Sequence, residues 1–270
     1  MNDAKKQPVA QHPLAYKNEQ FLDSDAARAL RILAEYLEPL HRFQQQKVPG
    51  TVVFFGSARL TADGPLGQYY ADARELARLY TLWSNSLPPS APRFLICSGG
   101  GEGIMEAANR GAAEAGGRTI GLNISLPEEQ SANGYITPDL SFEFHYFFMR
   151  KLWFAHLARA VVIFPGGFGT LDEMTEILTL SQTRKLEGKM TVVLYGEEYW
   201  REIINFDALV RHGMISAADL ALFSFASGPA QALDILQRGI ALEPTATAPA
   251  FAKTRTAQYG GSYLYQRSGD

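Results

Sequence analysis

Short apolar runs alternate with amphipathic segments along this chain, and three of the runs end in a small-residue loop. That pattern predicts an α/β fold: a doubly wound, Rossmann-like parallel sheet with helices on both faces, preceded by an extra N-terminal helix. Three junctions carry the prediction. Gly56-Ser57-Ala58, Ser98-Gly99-Gly100-Gly101 and Pro165-Gly166-Gly167-Phe168-Gly169-Thr170 each stand between an apolar run and a helical pattern.

Residues 1–21 read as a flexible arm, since Pro8 and Pro13 oppose any long helix. A helix follows over about 25–46, with Ala27, Leu30, Ile32, Leu33, Tyr36 and Leu37 as its apolar stripe and Ser24 or Asp25 to cap it. TVVFF at 51–55 predicts a buried strand, and a helix spans 65–86 with Pro65 in its first turn. Strands are expected at 93–97 and 119–125, flanking a helix at 103–115 that Gly116-Gly117 ends. Residues 126–141 read as irregular, then come a strand at 141–146, a helix at 147–157 and a strand at 160–164. A helix from Thr170 to about 184, a strand at 191–195, a helix at 198–210 and a strand–helix pair over 222–239 complete the alternation. The reading is one domain over 22–242, with an irregular C-terminal tail at 243–270 rich in Thr, Ala, Gly and Ser.

A length of 270 residues allows one sizeable core, and a net charge of −3 offers no basic face for nucleic acid. The first residues lack the apolar run of a secretory signal, and no stretch approaches a membrane span. The single cysteine, Cys97, cannot form an intramolecular disulfide and fits a reducing compartment. A cytoplasmic protein is therefore expected, without nucleic-acid or membrane partners.

In an open parallel sheet, ligands collect at the carboxyl ends of strands near the point where strand order reverses. Glycines there let backbone approach a ligand, and the next helix offers free N–H groups to an anion. Two such loops, at 98–101 and 165–170, point to a phosphate-bearing ligand. The known nucleotide motifs are missing: there is no G-x-x-x-x-G-K-[ST], and G-x-G-x-x-G fails because Ile104 stands where the third glycine belongs.

The run Pro165-Gly166-Gly167-Phe168-Gly169-Thr170-Leu171-Asp172-Glu173 resembles the P-G-G-x-G-T-x-x-E signature of the Lonely Guy family. Gly99 to Met105 resembles that family's G-G-G-x-x-G-x-M loop with one residue fewer, and Met149-Arg150-Lys151 is similar to its Arg-Lys pair. The resemblance covers about residues 50–240. It implies a phosphoribohydrolase acting on nucleoside 5′-monophosphates, such as cytokinin riboside monophosphates or AMP, without metal or organic cofactor. It also implies a homodimer or a higher homo-oligomer such as a hexamer. Members are often labelled lysine decarboxylases, yet no lysine here stands out as a Schiff-base former. Molybdenum-cofactor carriers, similar in fold, represent the alternative of a binding protein without catalysis.

The resemblance makes Arg150 and Glu173 the catalytic pair. A carboxylate beside the ribose stabilises an oxocarbenium-like centre or activates water, and a guanidinium holds phosphate or neutralises the departing base. Thr170-x-x-Glu173 is equally the spacing of a helix capping box, so the motif alone leaves both readings open. Gly166, Gly167, Phe168, Gly169 and Thr170 would cradle the 5′-phosphate, with Gly100, Gly101, Ser57, Lys151 and Asp172 as further substrate contacts. Ser57 reads equally as a turn former, and Asp172 and Glu176 equally as helix-face carboxylates. Glu129 falls where the family places an acidic contact. The aromatic run 142–148, extended by Trp153, Phe154 and His156, reads as core or as a subunit interface that lines the base pocket.

Overall fold

A computed structural model describes residues 12–126, 131–186 and 188–241; Glu129 and the tail at 243–270 lie outside them. The chain begins with a 3-10 turn at Ala15–Lys17 and a short helix α1 (Glu19–Leu22), and a second 3-10 turn (Asp25–Ala27) leads into α2 (Arg28–Gln45). Alternation follows: β1 (Thr51–Phe55), α3 (Gly67–Ser86), β2 (Leu95–Ser98), α4 (Ile104–Glu114), β3 (Thr119–Ile124) and β4 (Ser141–Phe144). Then come α5 (Phe147–Leu157), β5 (Ala158–Ile163), α6 (Phe168–Gln182), β6 (Thr191–Tyr195), α7 (Glu197–Ile203), α8 (Phe206–Arg211), β7 (Ser224–Ala226) and α9 (Pro229–Ala241).

The seven strands form one sheet in the order β4-β3-β2-β1-β5-β6-β7, every pair parallel. The expected fold class is thus the observed one. Strand order runs outward in both directions from β1, so the switch point lies between β1 and β5. β1 sits at the centre with all five residues buried, which is why it reads as an unbroken apolar run.

Successive strand residues feed opposite layers. Val53, Phe55, Cys97, Ile120, Leu122, Val161, Ile163 and Leu194 pack with Phe43 of α2, Trp153 of α5, Ile177 of α6 and Trp200 of α7. Val52, Phe54, Ile96, Ala160, Val162 and Val193 pack with Leu76 of α3, Ala108 of α4 and Leu236 of α9. Among the described residues no helix is long and apolar enough to cross a membrane.

Three differences from the sequence reading have physical causes. The stripe expected on α2 divides: Ile32 and Tyr36 pack against the core with Leu40, whereas Leu30, Leu33 and Leu37 face outward. The helix expected over 198–210 is two helices, because the Asn205 side chain accepts from Ala208 N at 2.8 Å and caps a new start. The helix expected from Thr170 begins two residues earlier, with Gly167 at its N-cap.

Candidate functional site

The β1 and β5 junctions meet at the switch point, which is where open parallel sheets of this kind bind ligands. Ser57 N donates to Pro165 O at 3.1 Å, and Ile104 N donates to Ser57 O at 3.2 Å, so three loops are stitched through one residue. The Ser57 hydroxyl accepts from Arg59 N at 3.0 Å, which is the turn-forming role.

The triple-glycine loop is fixed by amides. Gly100 has φ +77°, and a Cβ there would lie 2.1 Å from Asn123 Oδ1, so no other residue fits. Ser98 Oγ accepts from Gly100 N at 3.1 Å and donates to Asn109 Oδ1 at 2.6 Å. Asn133 Nδ2 donates to Gly100 O, Gly101 O and Asn109 Oδ1 at 2.9–3.0 Å. Gly100 and Gly101 are buried within this net. Asn109 is wholly buried and also donates to Thr119 Oγ1 and Ile120 O, so its role is to hold the loop. Glu106 accepts from the Tyr70 hydroxyl at 2.8 Å, and Met105 is half-buried beside the loop.

The second loop presents the open end of α6. Gly167 caps that helix without any side-chain hydrogen bond, and Phe168, Gly169 and Thr170 form its first turn. Gly166 and Thr170 are buried, while Gly167, Phe168 and Gly169 are exposed, Phe168 to 93%. The first-turn N–H groups and the helix dipole together favour an anion here. Tyr199 donates its hydroxyl to Gly166 O at 2.8 Å and steadies the loop from α7, a contact no motif disclosed.

Glu173 lies in the second turn of α6 and caps nothing, because the helix starts before Thr170. Arg150 reaches it from the first turn of α5: Nη2 to Oε1 is 3.5 Å, with side-chain exposures of 11% and 18%. The Arg150 guanidinium carbon stands 5.2 Å from the Phe154 ring centre, and its buried Nε has no hydrogen-bond partner among the described residues. Burial pushes the Glu173 carboxyl up to about 7, with Arg150 as the main opposing influence. Burial likewise lowers the Arg150 pKa, against the pull of Glu173 and Glu143, yet a guanidinium stays charged at any working pH. Glu143, on edge strand β4 opposite Asn123, is a second carboxylate in the field of Arg150; burial raises its pKa and Arg150 opposes the shift. Burial also pushes the Cys97 thiol up, which keeps it protonated and unreactive.

Lys151 points instead at two carboxylates of α6. Its Nζ lies 2.9 Å from Asp172 and 3.1 Å from Glu176. Burial works against its charge, but these two hydrogen bonds outweigh burial and raise its pKa. Lys151 and Asp172, both read as substrate contacts, are therefore engaged with each other in this structure. The aromatic run divides by strand and helix geometry. Phe142, Phe144, Tyr146, Trp153 and Phe154 are core, while Phe147 and Phe148 are exposed.

Residues 105–236 match the family model described as "possible lysine decarboxylase". A probable cytokinin riboside 5′-monophosphate phosphoribohydrolase of Oryza sativa subsp. japonica is 29% identical over 54% of this chain and 64% of its own length. A cytokinin riboside 5′-monophosphate phosphoribohydrolase of Rhodococcoides fascians is 30% identical over 42% and 56%. The matched segments thus span less than two thirds of these relatives. The X-ray structure of TM1055, a structural-genomics target, has a TM-score of 0.50 at 22% identity, covering 70% of this chain and 99% of that one. The molybdenum cofactor binding protein of Rippkaea orientalis has a TM-score of 0.48 at 20% identity.

Pyridoxal-dependent decarboxylation needs a lysine amine that can shed its proton and form a Schiff base. The lysine beside this site does not fit: Lys151 is held charged between Asp172 and Glu176. The description's chemistry and its kinship therefore separate here. Through residues 105–236 and the loop–helix motif at 165–173, the chain is similar to the cytokinin riboside 5′-monophosphate phosphoribohydrolases rather than to a pyridoxal enzyme.

Proposed function

We propose that this chain hydrolyses the N-glycosidic bond of a nucleoside 5′-monophosphate, giving the free base and ribose 5-phosphate. The observation that carries the proposal is the Arg150–Glu173 pair, 3.5 Å apart beside the uncapped N-terminus of α6. The N–H groups of Phe168, Gly169 and Thr170 take the 5′-phosphate, with the Thr170 hydroxyl beside them. Anchored there, the ribose is directed toward Glu173. The bond from C1′ to the base nitrogen breaks, and its electron pair leaves with the base. The ionised Glu173 carboxylate stabilises the cationic C1′ and orients a water, whose oxygen bonds to C1′ and whose proton passes to the carboxylate and then, through solvent, to the base nitrogen, leaving Glu173 ionised again. Arg150 neutralises charge developing on the departing base. Cytokinin riboside monophosphates, named for the curated relatives, and AMP are the substrates proposed.

Turnover of AMP against adenosine tests the anchoring. The nucleotide is expected to be preferred by about a thousandfold in kcat/KM, since a phosphate held by several charge-assisted bonds also orients the sugar. Equal rates would remove the phosphate cradle from the argument. Nucleotide binding without release of free base would instead mark a carrier or sensor.

The position of the Glu173 pKa sets the pH dependence. The proton must be off for the carboxylate to act, so kcat/KM is expected to rise through about pH 7, falling about tenfold per unit below it. A rate that declined from pH 6 to 8 would reassign Glu173 as a proton donor. The proposal includes self-association, because Phe147, Phe148 and Leu152 are apolar and exposed together along α5. Sedimentation velocity that returned a monomer would overturn that part.

A further inference from the structure

We propose that Glu35, on the N-terminal helix α2, is a positioning residue that fixes Arg150 opposite Glu173. The inference rests on the catalytic reading of that pair, and Glu35 lies outside residues 105–236 that match the family model.

Glu35 grips α5 at two points. Its carboxylate accepts from His145 N at 2.7 Å and from Tyr146 N at 3.2 Å, the two backbone donors just ahead of α5. Tyr146 is the N-cap of that helix and supplies no side-chain cap of its own. A carboxylate placed there also complements the positive end of the helix dipole. The first turn hangs from the same residue: Met149 N and Arg150 N both donate to Tyr146 O, at 3.1 and 3.2 Å. Fixing Tyr146 therefore fixes the backbone that launches Arg150.

The second grip is through the main chain. Pro39 lies inside α2 and has no N–H, so the carbonyl of Glu35, four residues back, loses its helical donor. Trp153 Nε1 donates to that carbonyl at 3.0 Å. Trp153 is buried, with Tyr36 stacked at 5.6 Å and Phe43 at 5.3 Å between ring centres. The proline thus leaves an acceptor that α5 satisfies, one turn below Arg150 on the same helix. A helix docked only for burial would need neither the freed carbonyl nor the carboxylate at Tyr146.

Arg42 provides a control. It also ties α2 to the sheet, donating to Ser141 O at 2.6 Å, and its other polar partner among the described residues is Glu38 on its own helix. The test compares parent, Glu35→Ala, Glu35→Gln, Arg42→Ala and Glu173→Gln. It measures kcat and KM on AMP, Tm, and amide hydrogen exchange over residues 145–150. Glu35→Ala is expected to lower kcat by about tenfold or more with KM within about twofold, since the phosphate cradle on α6 is untouched. Glu35→Gln keeps one acceptor and should fall between, and it stands in for Ala if that variant does not fold. Arg42→Ala should lower Tm and leave kcat alone. A kcat for Glu35→Ala no lower than that of Arg42→Ala overturns the proposal, as does a loss confined to KM. If the parent releases no base from AMP or other nucleoside monophosphates, the catalytic reading fails by itself. Exchange then decides: acceleration confined to 145–150 in Glu35→Ala upholds the positioning of α5, and unchanged protection refutes it.

Discussion

Replacing Glu173 with Gln is expected to abolish base release, by about a thousandfold or more in kcat, while making the protein more stable at pH 8. The two effects share one cause. Glu173 is buried, and burial holds its pKa near 7 against an ordinary value of 4.5, despite the attraction of Arg150. The folded state therefore binds a proton more tightly than the unfolded chain does, so stability falls as pH rises from 4.5 to 7 and the full cost remains above that. At pH 8 the ionised carboxylate costs about 3 kcal/mol, which a neutral amide of the same shape avoids. Because the shift already includes the pull of Arg150, losing that ion pair does not reverse the sign. The rise in Tm at pH 8 should be about 10 °C and should vanish below about pH 4.5. Thermal melts at the two pH values read the stability, and chromatography of free base reads the activity. A variant that kept turning over would end the catalytic assignment, and a variant less stable at pH 8 would end the burial account.

Gly166→Ala is expected to raise KM for the nucleotide by about a hundredfold and to lower stability by about 2 kcal/mol. A Cβ at this position would sit 2.1 Å from Thr170 Oγ1 and 3.1 Å from Ser57 N. Thr170 is buried and cannot swing clear, so the loop must lift. Lifting it strains the Ser57–Pro165 and Tyr199–Gly166 hydrogen bonds that hold the loop in place. Gly167→Ala and Gly169→Ala separate crowding from ligand contact, because a Cβ at either meets nothing within 4 Å. Those two should leave Tm unchanged and weaken only nucleotide binding, where a methyl intrudes on the phosphate. Equal losses of Tm across all three variants would contradict this division.

The strands were legible because a parallel sheet covered on both faces demands continuous apolar runs; 51–55 and 191–195 carry their own limits. Their order was not, since the pairing of β1 with β5 joins segments about a hundred residues apart and leaves no local mark. Within the site, glycine positions declared the loops, because close approach admits no other residue at Gly100 or Gly166. The partners that hold those loops were hidden. Asn109, Asn133 and Tyr199 are ordinary polar residues until the fold brings a carbonyl or hydroxyl to them. Lys151 reads as a substrate contact through its place in the Arg-Lys pair; adjacent helical residues point about 100° apart, and in the structure its amine meets Asp172, which no spacing announced. The helix start at Phe168 removes the capping reading of Glu173, and only backbone geometry could decide that.

The grip of α2 on α5 also sets an order of events in time. Glu35 and His145 are separated by 110 positions in sequence. At a synthesis rate of about 5–20 residues per second, α2 leaves the ribosome roughly 5–20 seconds before its partner is made. Through that interval Tyr36 and Phe43 have no Trp153 to pack against, and the carbonyl freed by Pro39 is left to water. β1 to β3 can meanwhile assemble, since each pairs with the strand next to it in sequence. Closing a loop of that length is slow and entropically costly. The nascent chain thus acquires part of its sheet well before Arg150 and Glu173 are made, and α2 waits through that interval with Tyr36 and Phe43 uncovered.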